Sequence, residues 1–184
     1  MSTESTRTKD EFVERGEADR RSEELASSDA GERRLATADR RHENNRQYAT
    51  FFLENHFLGV EVENVQEVFT AKEMTRVPLA PPVIGGLINL RGHIILTIDL
   101  RKRLGFNDRD EGKEVMSIVV RTDDGPVNLL VDQIGDVIEV RPDLFEPPPT
   151  TLDHDLGASV DGVYKLKDKL LLALSTRRVT QVVS

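Results

Sequence analysis

Residues 85–105, GGLINLRGHIILTIDLRKRLG, decide the fold. Leu87–Leu90 and Ile94–Leu100 are apolar runs rich in β-branched side chains, and Arg91-Gly92-His93 between them is too short and too polar for anything but a bend. The stretch therefore spells a strand, a tight Arg-Gly turn and a second strand. Gly92 supplies the positive φ that such a bend needs, while Pro81-Pro82 before the unit and Gly105 after it mark its limits. Asp99-Leu100-Arg101-Lys102-Arg103-Leu104 reads as a strand end running into a helical turn. Arg91 is thereby expected to stand exposed on a rigid hairpin.

Working outward, the upstream chain continues in the same style. Thr75–Pro82 has three prolines in five positions, which rules out a central strand and leaves an extended approach to the hairpin. Val65-Gln66-Glu67-Val68-Phe69 alternates as a half-buried strand would, so Val65 and Glu67 are expected to share one face. Tyr48–Leu53 and Phe57–Val62 flank a polar Glu54-Asn55-His56 turn and read as a hairpin. Before Tyr48 the composition changes. Residues 1–47 hold ten basic and twelve acidic residues but only five large apolar ones, so this segment cannot build a core and is expected to be a disordered or partly helical charged extension. The folded domain is expected to occupy 48–184.

Downstream, Phe106–Glu114 is a charged loop, and Val115–Arg121 is a strand ending in the reversal Asp123-Asp124-Gly125-Pro126. Val127–Val131 and Asp136–Val140 flank Asp132-Gln133-Ile134-Gly135, and Pro147-Pro148-Pro149 closes that part. Val160–Leu166 and Leu170–Leu174 are two more strands around a Lys-Asp-Lys turn, and Ser175–Val183 reads as a short helix. Nine or ten short strands with so few residues left for helix imply an all-β chain, a sandwich or small barrels rather than an α/β enzyme scaffold.

Composition narrows the function. The chain of 184 residues carries a net charge of −8 and no Cys, which excludes disulfides, thiolate metal sites and Cys nucleophiles. With neither a long apolar window nor a secretory h-region in view, a cytoplasmic protein without membrane insertion is expected. His42, His56, His93 and His154 fall in no metal-ligating spacing, and neither a nucleophile elbow nor a phosphate-binding loop is present. Asp123-Asp124 and Asp153-His154-Asp155 sit in turn-forming context, which accounts for them without chemistry. No cofactor, metal or catalytic residue is expected, and the chain is read as a non-enzyme.

The ordered set Val65-Gln66-Glu67-Val68, Pro78-Leu79-Ala80-Pro81-Pro82-Val83-Ile84-Gly85-Gly86-Leu87-Ile88-Asn89-Leu90-Arg91-Gly92 and Ile98-Asp99-Leu100-Arg101 resembles the signature of the CheW family, the coupling proteins of chemotaxis arrays. The resemblance extends through Val131-Asp132-Gln133-Ile134 and covers about 48–183. It implies two interlocked five-stranded SH3-like β-barrels with short helices and a hydrophobic seam between them. It also implies an adaptor that joins the cytoplasmic tip of a methyl-accepting chemoreceptor to the regulatory domain of a CheA-like histidine kinase. The long charged N-terminal extension, Leu96 and Ser175-Thr176-Arg177-Arg178 depart from the usual pattern, which bears on partner choice more than on fold, and His93 stands where a small or apolar residue is usual after Arg-Gly.

Each motif position then takes an expected role. Arg91 can fork onto the Glu67 carboxylate, and similarity to the family places this pair where receptor and kinase are coupled; the competing reading is an ordinary surface ion pair. Val65, Leu87, Ile88 and Ile94 are expected to line an apolar groove for a receptor helix, with core packing as the competing role for Ile88 and Ile94. Asn89 is expected to bond backbone at the bend, and Gly85-Gly86 to serve chain geometry. The partner-binding set carried forward is Val65, Glu67, Gly86, Leu87, Asn89, Arg91, Gly92, Ile94 and Asp99. The alternative function is a small barrel binding nucleic acid or a ligand. It would require a basic stripe with stacking aromatics or a polar pocket, whereas residues from 48 onward hold 15 basic against 21 acidic residues.

Overall fold

Eleven strands, three short α-helices and two 3-10 turns make up the described part of the computed structural model, residues 45–110 and 112–181. The expected charged extension lies outside the described residues over 1–44. The strands are β1 (Arg46–Leu53), β2 (His56–Glu61), β3 (Val65–Thr70), β4 (Ile84–Leu90), β5 (His93–Asp99), β6 (Met116–Thr122), β7 (Gly125–Val131), β8 (Gln133–Val140), β9 (Phe145–Glu146), β10 (Val160–Lys165) and β11 (Leu170–Leu174). The helices are α1 (Leu100–Arg103), α2 (His154–Ser159) and α3 (Thr176–Thr180).

The opening hairpin forms as read, with one addition. Both turn residues have positive φ, Arg91 at 52° and Gly92 at 88°, the mirror-image turn whose twist matches that of the flanking strands. The Asn89 carboxamide oxygen accepts the Gly92 N–H at 2.9 Å, so the bend is held from within the strand.

Two sheets result. The first has the order β8-β1-β2-β11-β10-β9 and the second β3-β6-β7-β5-β4. All neighbours are antiparallel except β2 with β11 and β5 with β7. These are the two barrels of the expected all-β fold, with two corrections. The first sheet carries a sixth strand, the two-residue β9, which the adjacent prolines keep short. Asp132–Gly135 does not separate paired strands: β8 begins at Gln133 and pairs with β1, so the chain changes sheets at Asp132. A third difference is α2, where Asp153-His154-Asp155 opens a helix with Leu156 buried beneath it, rather than a turn.

The second sheet closes on itself. Thr75, just beyond β3, exchanges two backbone hydrogen bonds with Leu87 of β4, at 2.9 and 2.8 Å, so the two edges of the sheet meet. The main core lies between the sheets, drawing Phe51, Leu58 and Leu172 from the first and Ile98, Ile118 and Leu129 from the second. A smaller core of Ile88, Leu90, Ile95 and Val119 fills the second barrel.

Candidate partner-binding surface

Pairing register sorts the expected groove residues into two faces. Leu87 lies opposite Leu96, Leu96 beside Val127, Val127 opposite Val120 and Val120 opposite Val65. Paired residues share a face, so these five apolar side chains form one row across the whole second sheet, on its outer side. The neighbouring row contains Ile98, Leu129 and Ile118, at most 1% exposed under the first sheet. Moving the other way, Leu87, Leu96, Val127 and Val65 are half-buried, and Ile94 is 66% exposed. The apolar stripe that forms the seam therefore runs out past the cover of the first sheet. Its uncovered end is one wall of a groove of about 920 Å³, formed by Ile94, Leu96, Pro126 and Val127, with Thr176 and Arg177 of α3 on its border.

Of the four residues expected to line a groove, Ile94 does so; Val65 and Leu87 lie on the same outer face but outside the groove, and Ile88 is 3% exposed and packs in the small core. Val65 and Glu67 do not share a face. A bulge at Gln66 shifts the register, so that Val65 opposes Val120 but Glu67 opposes Val119, whose side chain is in the interior of the second barrel. The alternation in the sequence is regular; the extra residue in the ladder is what overturns its simple reading.

Glu67 and Arg91 are neighbours, with Arg91 Nη2 donating to Glu67 Oε1 at 3.2 Å. The contact is a single hydrogen bond and not the expected fork, and Arg91 remains 79% exposed. It spans β3 and the β4–β5 turn, joining the same two edges that the Thr75–Leu87 bridge closes. Gly86, at φ 139°, has only 2.7 Å between its virtual Cβ and the Thr75 carbonyl oxygen, so it serves this closure.

Asp99 is at the far end of β5 from Arg91. Its carboxylate caps α1 by accepting the Arg101 N–H at 3.0 Å, and it takes Arg109 Nη1 at 2.7 Å. Asp99 is thus part of a second constellation that sequence reading missed. Arg101, 9% exposed, donates Nε and Nη2 to Asp132 at 2.8 and 2.7 Å, and its Nη1 reaches Glu54 and the carbonyls of Asn107 and Asp108. Arg109 donates to Asp132 as well, at 2.9 Å. Burial pushes the Asp132 carboxyl up, but hydrogen bonds from Arg101 and the Glu54 N–H, with the charges of Arg101 and Arg109, hold it below the ordinary carboxylate value. No local signature in the sequence marks this network, because Arg101 stands beside Lys102-Arg103 in a charged turn and its partner Asp132 is 31 residues away.

Among the described residues no group of three His, Asp or Glu is placed to hold a metal, no helix is long and apolar enough to cross a membrane, and Phe145 is the one exposed aromatic ring. The CheW-like domain family model matches residues 47–183. The chain is 31% identical over 129 residues to chemotaxis protein CheW of Bacillus subtilis, covering 70% of this chain and 83% of that protein. It is 29% identical over 135 residues to chemotaxis protein CheW of Thermotoga maritima, covering 73% and 87%. The crystal structure of scaffolding protein TtCheW from Thermoanaerobacter tengcongensis superposes with a TM-score of 0.68 at 34% identity, over 75% of this chain and 94% of that one.

Proposed function

The chain belongs to the CheW family, and from that premise we propose that it is a non-catalytic cytoplasmic scaffold joining a chemoreceptor's cytoplasmic tip to the regulatory domain of a CheA-like kinase. The observation that supports the receptor side of this reading is the outer row of the second sheet. An amphipathic helix from a receptor tip would cover the half-buried Leu96 and Val127 and the exposed Ile94 with side chains at i, i+3 and i+7, the helix-in-groove mode. The Glu67–Arg91 pair, charged and accessible, would set orientation rather than supply affinity. Gly86 and Gly92 support this surface through backbone geometry, closing the barrel and forming the turn, while the Asn89 and Asp99 side chains hold the turn and cap α1.

The test is Ile94→Lys. This side chain is largely exposed, so the variant should fold as the parent does while losing co-sedimentation with a receptor signalling-domain fragment. Retained co-sedimentation would remove the groove from the reading.

A further inference from the structure

Leu79 is exposed and conformationally costly at the same time. Its relative exposure is 104%, and its φ is +63°, in the left-handed region that a branched side chain rarely occupies. Either Asn or Gly would relieve both penalties, so neither folding nor solubility accounts for a leucine at this position. The residue is also held firmly. Ala80 N–H bonds back to the Val77 carbonyl at 3.3 Å across the turn; the Thr75–Leu87 bridge anchors the segment before it, and Ile84 N–H to the Pro81 carbonyl at 2.9 Å anchors it after. Val77, Pro78, Pro81 and Pro82 are exposed around it, so the loop presents a nearly all-apolar ridge on a proline-stiffened backbone. Arg76, beside the ridge, makes no ion pair among the described residues.

We propose that Leu79 is a preformed docking knob that inserts into an apolar socket on a folded protein domain, with Arg76 facing an acidic group at the rim. Stiffness favours this use, because a rigid loop loses little conformational freedom on binding. The loop enters β4 at Ile84, whereas Arg91 follows the other end of that strand at Leu90, about 20 Å away at 3.3 Å per residue. The knob therefore lies at the opposite end of the second barrel from the Arg91 turn. An adaptor that joins two partners needs two separate surfaces, and with the receptor helix assigned to the groove and the Arg91 turn, the knob at the opposite end is left to the other partner. The inference rests on the adaptor reading and assigns the knob to the kinase regulatory domain.

The experiment compares wild type, Leu79→Asn and Leu79→Met for binding to purified kinase regulatory domain and, separately, to a receptor signalling-domain fragment, together with thermal unfolding of each. Leu79→Asn should unfold at a higher temperature, lose affinity for the kinase domain by about tenfold or more, and bind the receptor fragment as wild type does. Leu79→Met, which keeps an apolar side chain in the same conformation, should restore most of the kinase affinity. Unchanged kinase binding by Leu79→Asn overturns the knob while leaving the adaptor reading in place. An equal loss for both fragments overturns its assignment to the kinase domain. Failure of wild type to bind either fragment overturns the adaptor reading and the knob together.

Discussion

Replacing Asp132 with asparagine tests whether the buried ion network, rather than the apolar seam alone, fixes the point where the chain passes from one sheet to the other. Asp132 accepts five hydrogen bonds, three from Arg101, one from Arg109 and one from the Glu54 N–H. Its side chain is 21% exposed and those of Arg101 and Arg109 are 10% and 13%, so water replaces little of what is lost. Removing one member of a buried pair costs roughly 3–5 kcal/mol because the partner is left charged and unpaired. Here Arg101 keeps the Asn107 and Asp108 carbonyls and Arg109 keeps Asp99, and asparagine retains one acceptor, so about 2–3 kcal/mol is expected. The pH dependence gives an independent check. The folded-state carboxyl titrates below its ordinary value, so its contribution is fully present above about pH 4 and is lost as pH falls through the depressed folded value. Denaturant unfolding of wild type and Asp132→Asn at pH 7 and in steps below pH 4 should show two stability curves that converge on acidification. A difference under about 1 kcal/mol at pH 7, or one that persists unchanged in acid, would refute this account.

Three further outcomes follow from the same geometry. Glu67→Ala and Arg91→Ala should each alter unfolding by less than about 1 kcal/mol, because the pair is exposed and singly bonded, yet weaken receptor-stimulated kinase phosphorylation; insoluble variants would make the pair structural instead. Gly86→Ala should cost roughly 2 kcal/mol or more and accelerate amide exchange at Thr75 and Leu87, since its Cβ meets the Thr75 carbonyl at 2.7 Å. Gly92→Ala has the same unfavourable sign of φ but open space around it, so it should cost only about 1 kcal/mol, and equal losses at the two glycines would contradict the closure argument.

Strand existence was legible because it depends on short apolar runs and the punctuation between them. Tyr48–Leu53, Val115–Arg121 and Leu170–Leu174 carry both, and each forms. What alternation does not encode is register. The bulge at Gln66 leaves the apolar pattern of β3 intact while turning Glu67 to the opposite face from Val65, because the extra residue is absorbed by the ladder. Partner choice was equally hidden at Val127–Val140, where two β-rich runs joined by Gly-containing sequence look like a hairpin until non-local pairing with β1 and β5 places them in different sheets. Of the site, the Glu67–Arg91 proximity was legible only through the family resemblance, while the Arg101–Asp132 network joins residues 31 apart and has no local signature.

One physical feature connects cohesion and recognition in this fold. The outer face of the second sheet needs a continuous apolar stripe to hold the two barrels together, and the side chains of a strand cannot stop being apolar only where the cover ends without breaking the alternation that specifies the face. Ile98, Leu96 and Ile94 run along one side of β5 and pass from 0% exposed through half-buried to 66%. A polar residue at Leu96 would weaken the seam beside it, since Leu96 packs in register with Val127 and Leu87. Ile94, one position further out and paired with Asn89, faces no such constraint, yet it remains apolar. Seam stability therefore accounts for Leu96 and leaves Ile94 to be explained by what covers it, which is why the substitution that separates folding from docking is made at residue 94 rather than at residue 96.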